Sequence, residues 1–105
     1  MTISQNENEK IEEPEKYIFK LFISAKSSDS VYAIKNIKKF CNHYLPDKYE
    51  LEIIDIFQEP EKASEEHIVL TPLLIKKFPL PEERMSGDLS NTQNILAKFH
   101  IDYEN

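Results

Sequence analysis

Seven consecutive residues, Tyr17-Ile18-Phe19-Lys20-Leu21-Phe22-Ile23, are apolar at every position but Lys20. In an extended segment side chains alternate, so Tyr17, Phe19, Leu21 and Ile23 share one face. Ile18 and Phe22 occupy the other, which Lys20 interrupts. A strand apolar on both sides needs cover on both, and is central rather than at an edge. Ser27-Ser28-Asp29-Ser30 follows, a cluster of residue types whose side-chain oxygens accept the free amide protons of a helix start. The spacing then predicts a helix to about Tyr44. Val31, Ile34, Ile37 and Cys41 line one stripe, Ala33 and Phe40 widen it, and Lys35, Lys38 and Lys39 face outward. Pro46 ends it. From Tyr49 to Phe57 runs a second strand, nearly all apolar from Leu51 onward apart from Glu52 and Asp55, again implying cover on both faces. A strand, a helix of about four turns and a buried strand form a βαβ unit with a parallel pair.

Pro60 suits the first turn of a short helix ending near Ile68, with Glu59 and Glu61 favouring its positive end. Leu73 to Lys76 reads as a short strand and Arg84 to Ser86 as a weaker one. Ser90 caps a last helix with Gln93 in capping-box position, and Ile95, Leu96, Phe99 and Tyr103 form its buried stripe. The stretch from Val69 to Ser90 holds three of the six prolines and the only glycine. Its Thr71-Pro72 stands at the start of a short apolar strand, where thioredoxin-like folds place a cis-proline. The order βαβ then αββα gives one α/β domain, βαβαββα, a thioredoxin-like mixed sheet with helices on both faces. Residues 1–16 read as a mobile acidic tail and residues 17–103 as the domain.

Composition excludes several functions. Glu7, Glu9, Glu12, Glu13 and Glu15, against Lys10 and Lys16, put half of the net charge of −6 in the first sixteen residues. The remainder shows no basic footprint for a nucleic acid. No apolar run reaches membrane-spanning length and no signal pattern opens the chain, so a reducing cytoplasm is expected. Thioredoxins carry their redox cysteines between the first strand and first helix. This chain has Lys26-Ser27-Ser28-Asp29 there, and a hydroxyl cannot form the mixed disulfide of thiol exchange. Cys41, the only cysteine, falls on the apolar stripe as a structural thiol. His43, His67 and His100 share no metal-ligand spacing, a single glycine makes no phosphate loop, and Asp55 reads as a hydrogen-bonded strand-end carboxylate. No catalytic, cofactor or metal site is expected.

The chain resembles the KaiB family from Tyr17 to about Ile101. The first strand is similar to the family's Tyr-x-x-Lys-Leu-Tyr/Phe start in Tyr17, Lys20, Leu21 and Phe22. Ser30-Val31-Tyr32-Ala33-Ile34-Lys35 resembles the family's helix pattern, and Tyr49, Leu51, Ile53, Ile54 and Asp55 its second strand. Pro60, Thr71-Pro72, Pro79, Pro81 and Gly87-Asp88-Leu89-Ser90 follow in the same order. The resemblance implies a non-enzymatic protein whose thioredoxin-like state docks on a KaiC-type ring ATPase, captures KaiA, and affects which histidine kinases reach the ring. It also implies a second fold, βαββααβ, associated as tetramers, and hence a homo-oligomer (dimer or tetramer). Family members outside complete clocks suggest timer or stress-response roles.

Carried onto this sequence, the resemblance implies partner contacts at Leu74, Lys76, Phe78 and Arg84, and fold-switch hinges at Thr71, Pro72, Pro79, Pro81 and Gly87. Short, proline-interrupted strands specify register poorly, which suits such hinges. The chain departs from the family in several places. Oscillator members carry Gly-Asn-Thr-Pro where Ala25-Lys26-Ser27-Ser28 stands. Their Gly-Leu-Asp is Lys98-Phe99-His100 here, while His67 and Glu83 replace basic residues. Lys98 favours helix over Gly by up to about 1 kcal/mol, so the thioredoxin-like state is expected to be more populated than in oscillator proteins. The rival readings are a thioredoxin-fold redox or glutathione-linked enzyme, a stress adaptor without a KaiC partner, and a sensor module of the kind fused to a histidine kinase.

Overall fold

The computed structural model of the protein describes residues 16–102. In chain order the elements are β1 (Tyr17–Ile23), α1 (Ser28–Tyr44), β2 (Tyr49–Asp55), α2 (Pro60–Glu65), β3 (Leu73–Phe78), β4 (Glu83–Ser86) and α3 (Thr92–Lys98). The four strands form one sheet in the order β2-β1-β3-β4. β1 pairs parallel with β2 (Leu21 opposite Ile53) and antiparallel with β3 (Leu21 opposite Leu74), and β3 pairs antiparallel with β4. The doubly apolar β1 is therefore interior to the sheet, as its sequence requires. The acidic tail expected over residues 1–16 falls, except for Lys16, outside the described residues, as does Tyr103.

β2 corrects one expectation. It is an edge strand with only Ile54 buried, and Glu50 and Glu52 stand exposed between its half-buried apolar positions. Alternating charge is a common way to protect a sheet edge from mispairing. The strand stops at Asp55 rather than Phe57, because the Asp55 carboxylate accepts the Phe57 N–H at 2.9 Å and its carbonyl accepts from Gln58 and Glu59.

The main core lies between the sheet and helices α1 and α3. Phe19, Leu21, Ile23 and Leu74 meet Ala33, Ile37, Phe40 and Cys41 of α1, and Ile95 of α3 with the adjoining Phe99. The stripe on α1 is rotated from that expected, since Val31 is 51% exposed and Ser30 is buried in its place. The Ser30 Oγ accepts the Ser24 N–H at 3.1 Å, while Ser27 caps the helix through the Ser30 N–H. The last helix is capped by Asn91, whose side chain accepts from the Asn94 N–H, and not by Ser90. The Ser90 N–H instead donates to the Asp88 carboxylate at 3.0 Å. On the opposite face a smaller core of Phe22, Ile54 and Ile75 is closed by Ile56, Ala63, Ile68 and Leu73.

The Thr71-Pro72, Phe78-Pro79 and Leu80-Pro81 peptide bonds are cis. Thr71 and Pro72 precede β3, Pro79 and Pro81 lie in the loop to β4, and Gly87 follows β4 with its N–H donating to the Pro72 carbonyl at 3.1 Å. Gly87 has φ +107°, where an L side chain is strained, although an added Cβ would meet nothing within 4 Å. Gly87→Ala is thus expected to lose about 1–2 kcal/mol from backbone strain alone. Urea unfolding should show a lower midpoint with an unchanged slope.

Candidate functional site: the thinly covered face of the sheet

Helix α2 has six residues, none of them buried. At 1.5 Å per residue it is about 9 Å long, enough to cover the Phe22–Ile54–Ile75 cluster but not the rest of its face. The helix is stopped at Glu66 by a turn in which His67 takes φ 57° and the Ile68 N–H reaches back to the Ala63 carbonyl at 3.0 Å. With the His67 N–H on the Ser64 carbonyl, this is the paired hydrogen bonding of a Schellman stop, set before the expected end at Ile68.

The turn delivers Glu66 to the sheet. Its carboxylate lies 2.9 Å from the Lys77 Nζ, 3.1 Å from the Arg84 Nη2 and 4.0 Å from the Lys20 Nζ. Glu82 reaches the same two cations of the hairpin, at 3.1 Å from Lys77 and 3.9 Å from Arg84. The hydrogen bond from Lys77, reinforced by the charges of Lys20 and Arg84, holds the Glu66 carboxyl below the usual carboxylate range despite burial. The same bond raises Lys77. A depressed carboxylate pKa contributes stability that is complete above the unfolded value and is lost as pH falls through the folded one. On the other side of α2, Lys62 bridges Glu52 at 2.8 Å and Glu59 at 3.0 Å. Glu52, Lys62, Lys20, Glu66, Lys77, Glu82 and Arg84 thus form a charged belt beside the small core.

The pairing of β1 with β3 slips between Ile18 and Phe19, so that Ile18 faces Phe78 while Phe19 faces Lys76, leaving Lys77 unmatched. This irregularity turns Phe78 onto the side of Ile18, away from Leu74 and Lys76. Phe78 is 38% exposed, and Leu80 in the following loop is 74% exposed. A large apolar side chain beside a charged rim is a typical contact anchor.

Of the four expected contact residues, Arg84, opposite Ile75, and Phe78, opposite Ile18, lie on this face. Leu74 and Lys76 do not, and for them the expectation is corrected in this fold. Both alternate onto the α1/α3 side, where Leu74 is fully buried and Lys76 is 1% exposed. The Lys76 Nζ donates to the Phe99 carbonyl at 3.3 Å, at the C-terminal end of α3. Burial pushes its pKa down and Glu83 partly opposes this. Glu83 also lies 3.8 Å from the Lys98 Nζ and 3.5 Å from the His100 Nε2, an ion pair when His100 is protonated. Glu83, Lys98 and His100 are therefore neighbours in space.

Burial pushes the pKa of the Cys41 thiol up to about 12. Such a thiol stays protonated and is a poor nucleophile. Among the described residues no helix is long and apolar enough to cross a membrane.

Comparison with known proteins matches residues 20–101 to the family model described as the KaiB domain. The circadian clock protein KaiB3 of Synechocystis sp. is 43% identical over 84 residues, covering 80% of this chain and 82% of that protein. The circadian clock oscillator protein KaiB of Synechococcus sp. is 36% identical over 87 residues, covering 83% and 85%. Among solved structures, the N-terminal domain of Synechococcus elongatus SasA matches with a TM-score of 0.68 at 19% identity, covering 88% of this chain and 90% of that one. Thioredoxin from Fasciola hepatica matches with a TM-score of 0.68 at 15% identity, covering 94% and 93%. At these identities the structural likeness establishes the fold, which is thioredoxin-like.

Proposed function

Since the chain belongs to the KaiB family, we propose that it is a non-enzymatic clock or timer protein that docks on a KaiC-type ring ATPase. The docking surface is the thinly covered sheet face, with Phe78 and Arg84 in contact with the partner. The observations that carry this reading are Phe78, exposed at the register position opposite Ile18, and the Arg84–Glu66 cluster, on a face whose helix has no buried residue. Leu74 and Lys76 act beneath it, holding β3 in place. A ring-bound protein would then meet KaiA or histidine kinases with its remaining surface. Thr71, Pro72, Pro79, Pro81 and Gly87 bracket β3 and β4, and a family-type rearrangement of the C-terminal half, with assembly into dimers or tetramers, would pivot there.

The test is co-elution of the full chain with a KaiC-type ring ATPase in the presence of ATP and of ADP. A stable complex with at least one nucleotide is expected, and Cys41→Ser is expected to bind within about two-fold of wild type, since a buried protonated thiol makes no contact. Absence of binding with both nucleotides would overturn the proposal, and a disulfide reductase activity that Cys41→Ser abolishes would overturn it in favour of the redox rival.

A further inference from the structure

Glu66 is an internal ligand. We propose that its carboxylate occupies a cationic socket, Lys20, Lys77 and Arg84, that a carboxylate of the docking partner takes over, so that the partner contributes an acidic side chain next to an apolar one. This rests on the docking face proposed above and adds the chemistry of what docks there.

Two observations support the exchange. The cations remain reachable, with side-chain exposures of 31% for Lys20, 28% for Lys77 and 37% for Arg84, while Glu66 itself is 17% exposed. Arg84 engages Glu66 through a single nitrogen, Nη2, so its planar fork is not filled by the parallel pair of bonds it can make to one carboxylate.

Glu66 is also delivered by a lightly packed element of the fold. Helix α2 has no buried residue, and elements with few buried apolar contacts open most easily. Replacing one carboxylate by another conserves charge-assisted hydrogen bonding, so the exchange costs mainly the local release of the helix end. Phe78 and Leu80 then supply the apolar half of the contact. An occupied socket lowers apparent affinity by the fraction of time it is closed, and rejects cationic partners outright.

The experiment compares wild type, Glu66→Gln, Glu66→Asp and the double variant Glu66→Gln/Arg84→Gln. The probes are poly-L-glutamate, a duplex DNA of matched charge and the nucleotide-bound KaiC-type ring. Glu66→Gln empties the socket of charge and is expected to bind poly-L-glutamate about five-fold or more tighter than wild type. Glu66→Asp keeps the charge and should stay near wild type, and the added Arg84→Gln should cancel the gain. The ring is expected to follow the same order. In the wild-type protein, poly-L-glutamate should speed amide exchange over residues 60–68, a readout that needs no variant to fold. Equal or weaker poly-L-glutamate binding by folded Glu66→Gln, unchanged exchange over 60–68, or DNA binding as tight as poly-L-glutamate each overturns the proposal. If the poly-L-glutamate arms behave as expected while the ring binds no variant, the socket stands and the ring-docking function falls.

Discussion

Truncating Phe99 to alanine is expected to destabilise the protein by about 3–5 kcal/mol, the range for deleting a fully buried aromatic ring. The Phe99 side chain has no exposed surface, and its ring packs on that of Phe19 with centroids 6.0 Å apart. It anchors the end of α3, a helix of seven residues in which only Ile95 is buried. Residues Phe99 and Ile101, just past the helix, supply the other fully or nearly buried contacts. The loss also reaches a polar contact, because the Phe99 carbonyl is the acceptor of the Lys76 ammonium. A cavity there lets the helix end shift and leaves a buried cation without its oxygen. Domains of this size have only about 5–15 kcal/mol of total stability, so thermal melting should fall by about 15 °C or more. A decrease of less than about 1 kcal/mol, the surface range, would mean that α3 is not docked on β1 as described.

Arg84→Glu is expected to weaken docking on a KaiC-type ring by about ten-fold or more, equivalent to at least about 1.4 kcal/mol. Arg84 belongs to the charged belt, with a side chain 37% exposed. Reversal removes a planar donor from the contact and places a carboxylate beside Glu66 and Glu82, so the partner meets net negative charge. The fold should survive, since partly exposed ion pairs contribute little to stability. Arg84→Gln separates the effects, because it removes the charge without adding repulsion and should give an intermediate loss. Titration calorimetry or size analysis against the ring measures both. Wild-type affinity in both variants, with circular dichroism unchanged, would remove Arg84 from the contact.

Much of this arrangement was legible in the chain. The two apolar faces of Tyr17–Ile23 placed β1 inside the sheet, and the Ser27–Ser30 cluster marked the start of α1. The edge position of β2 was harder to read, because an apolar run bounded by turns looks alike whether one neighbour or two flank it. The Glu50 and Glu52 alternation was the available sign. Lys76 was misplaced for a different reason. Its charge suggested surface, whereas period-two alternation from Leu74 pointed inward, and burial near the Phe99 carbonyl resolves the conflict in favour of alternation. The Glu66 cluster had no local signal. It depends on a left-handed His67, and joins residues from four separated segments.

The joint between β1 and α1 bears on what this scaffold can be turned into. Ser27 and Ser30 stand at the three-residue interval that dithiol catalysts use, yet both oxygens are already committed, one to an amide of the helix and the other to the amide of Ser24. Installing a cysteine pair would therefore mean dismantling a fastener, since sulfur accepts hydrogen bonds poorly and is larger than oxygen. The seam that other members of this architecture leave open for electron traffic is here stitched shut.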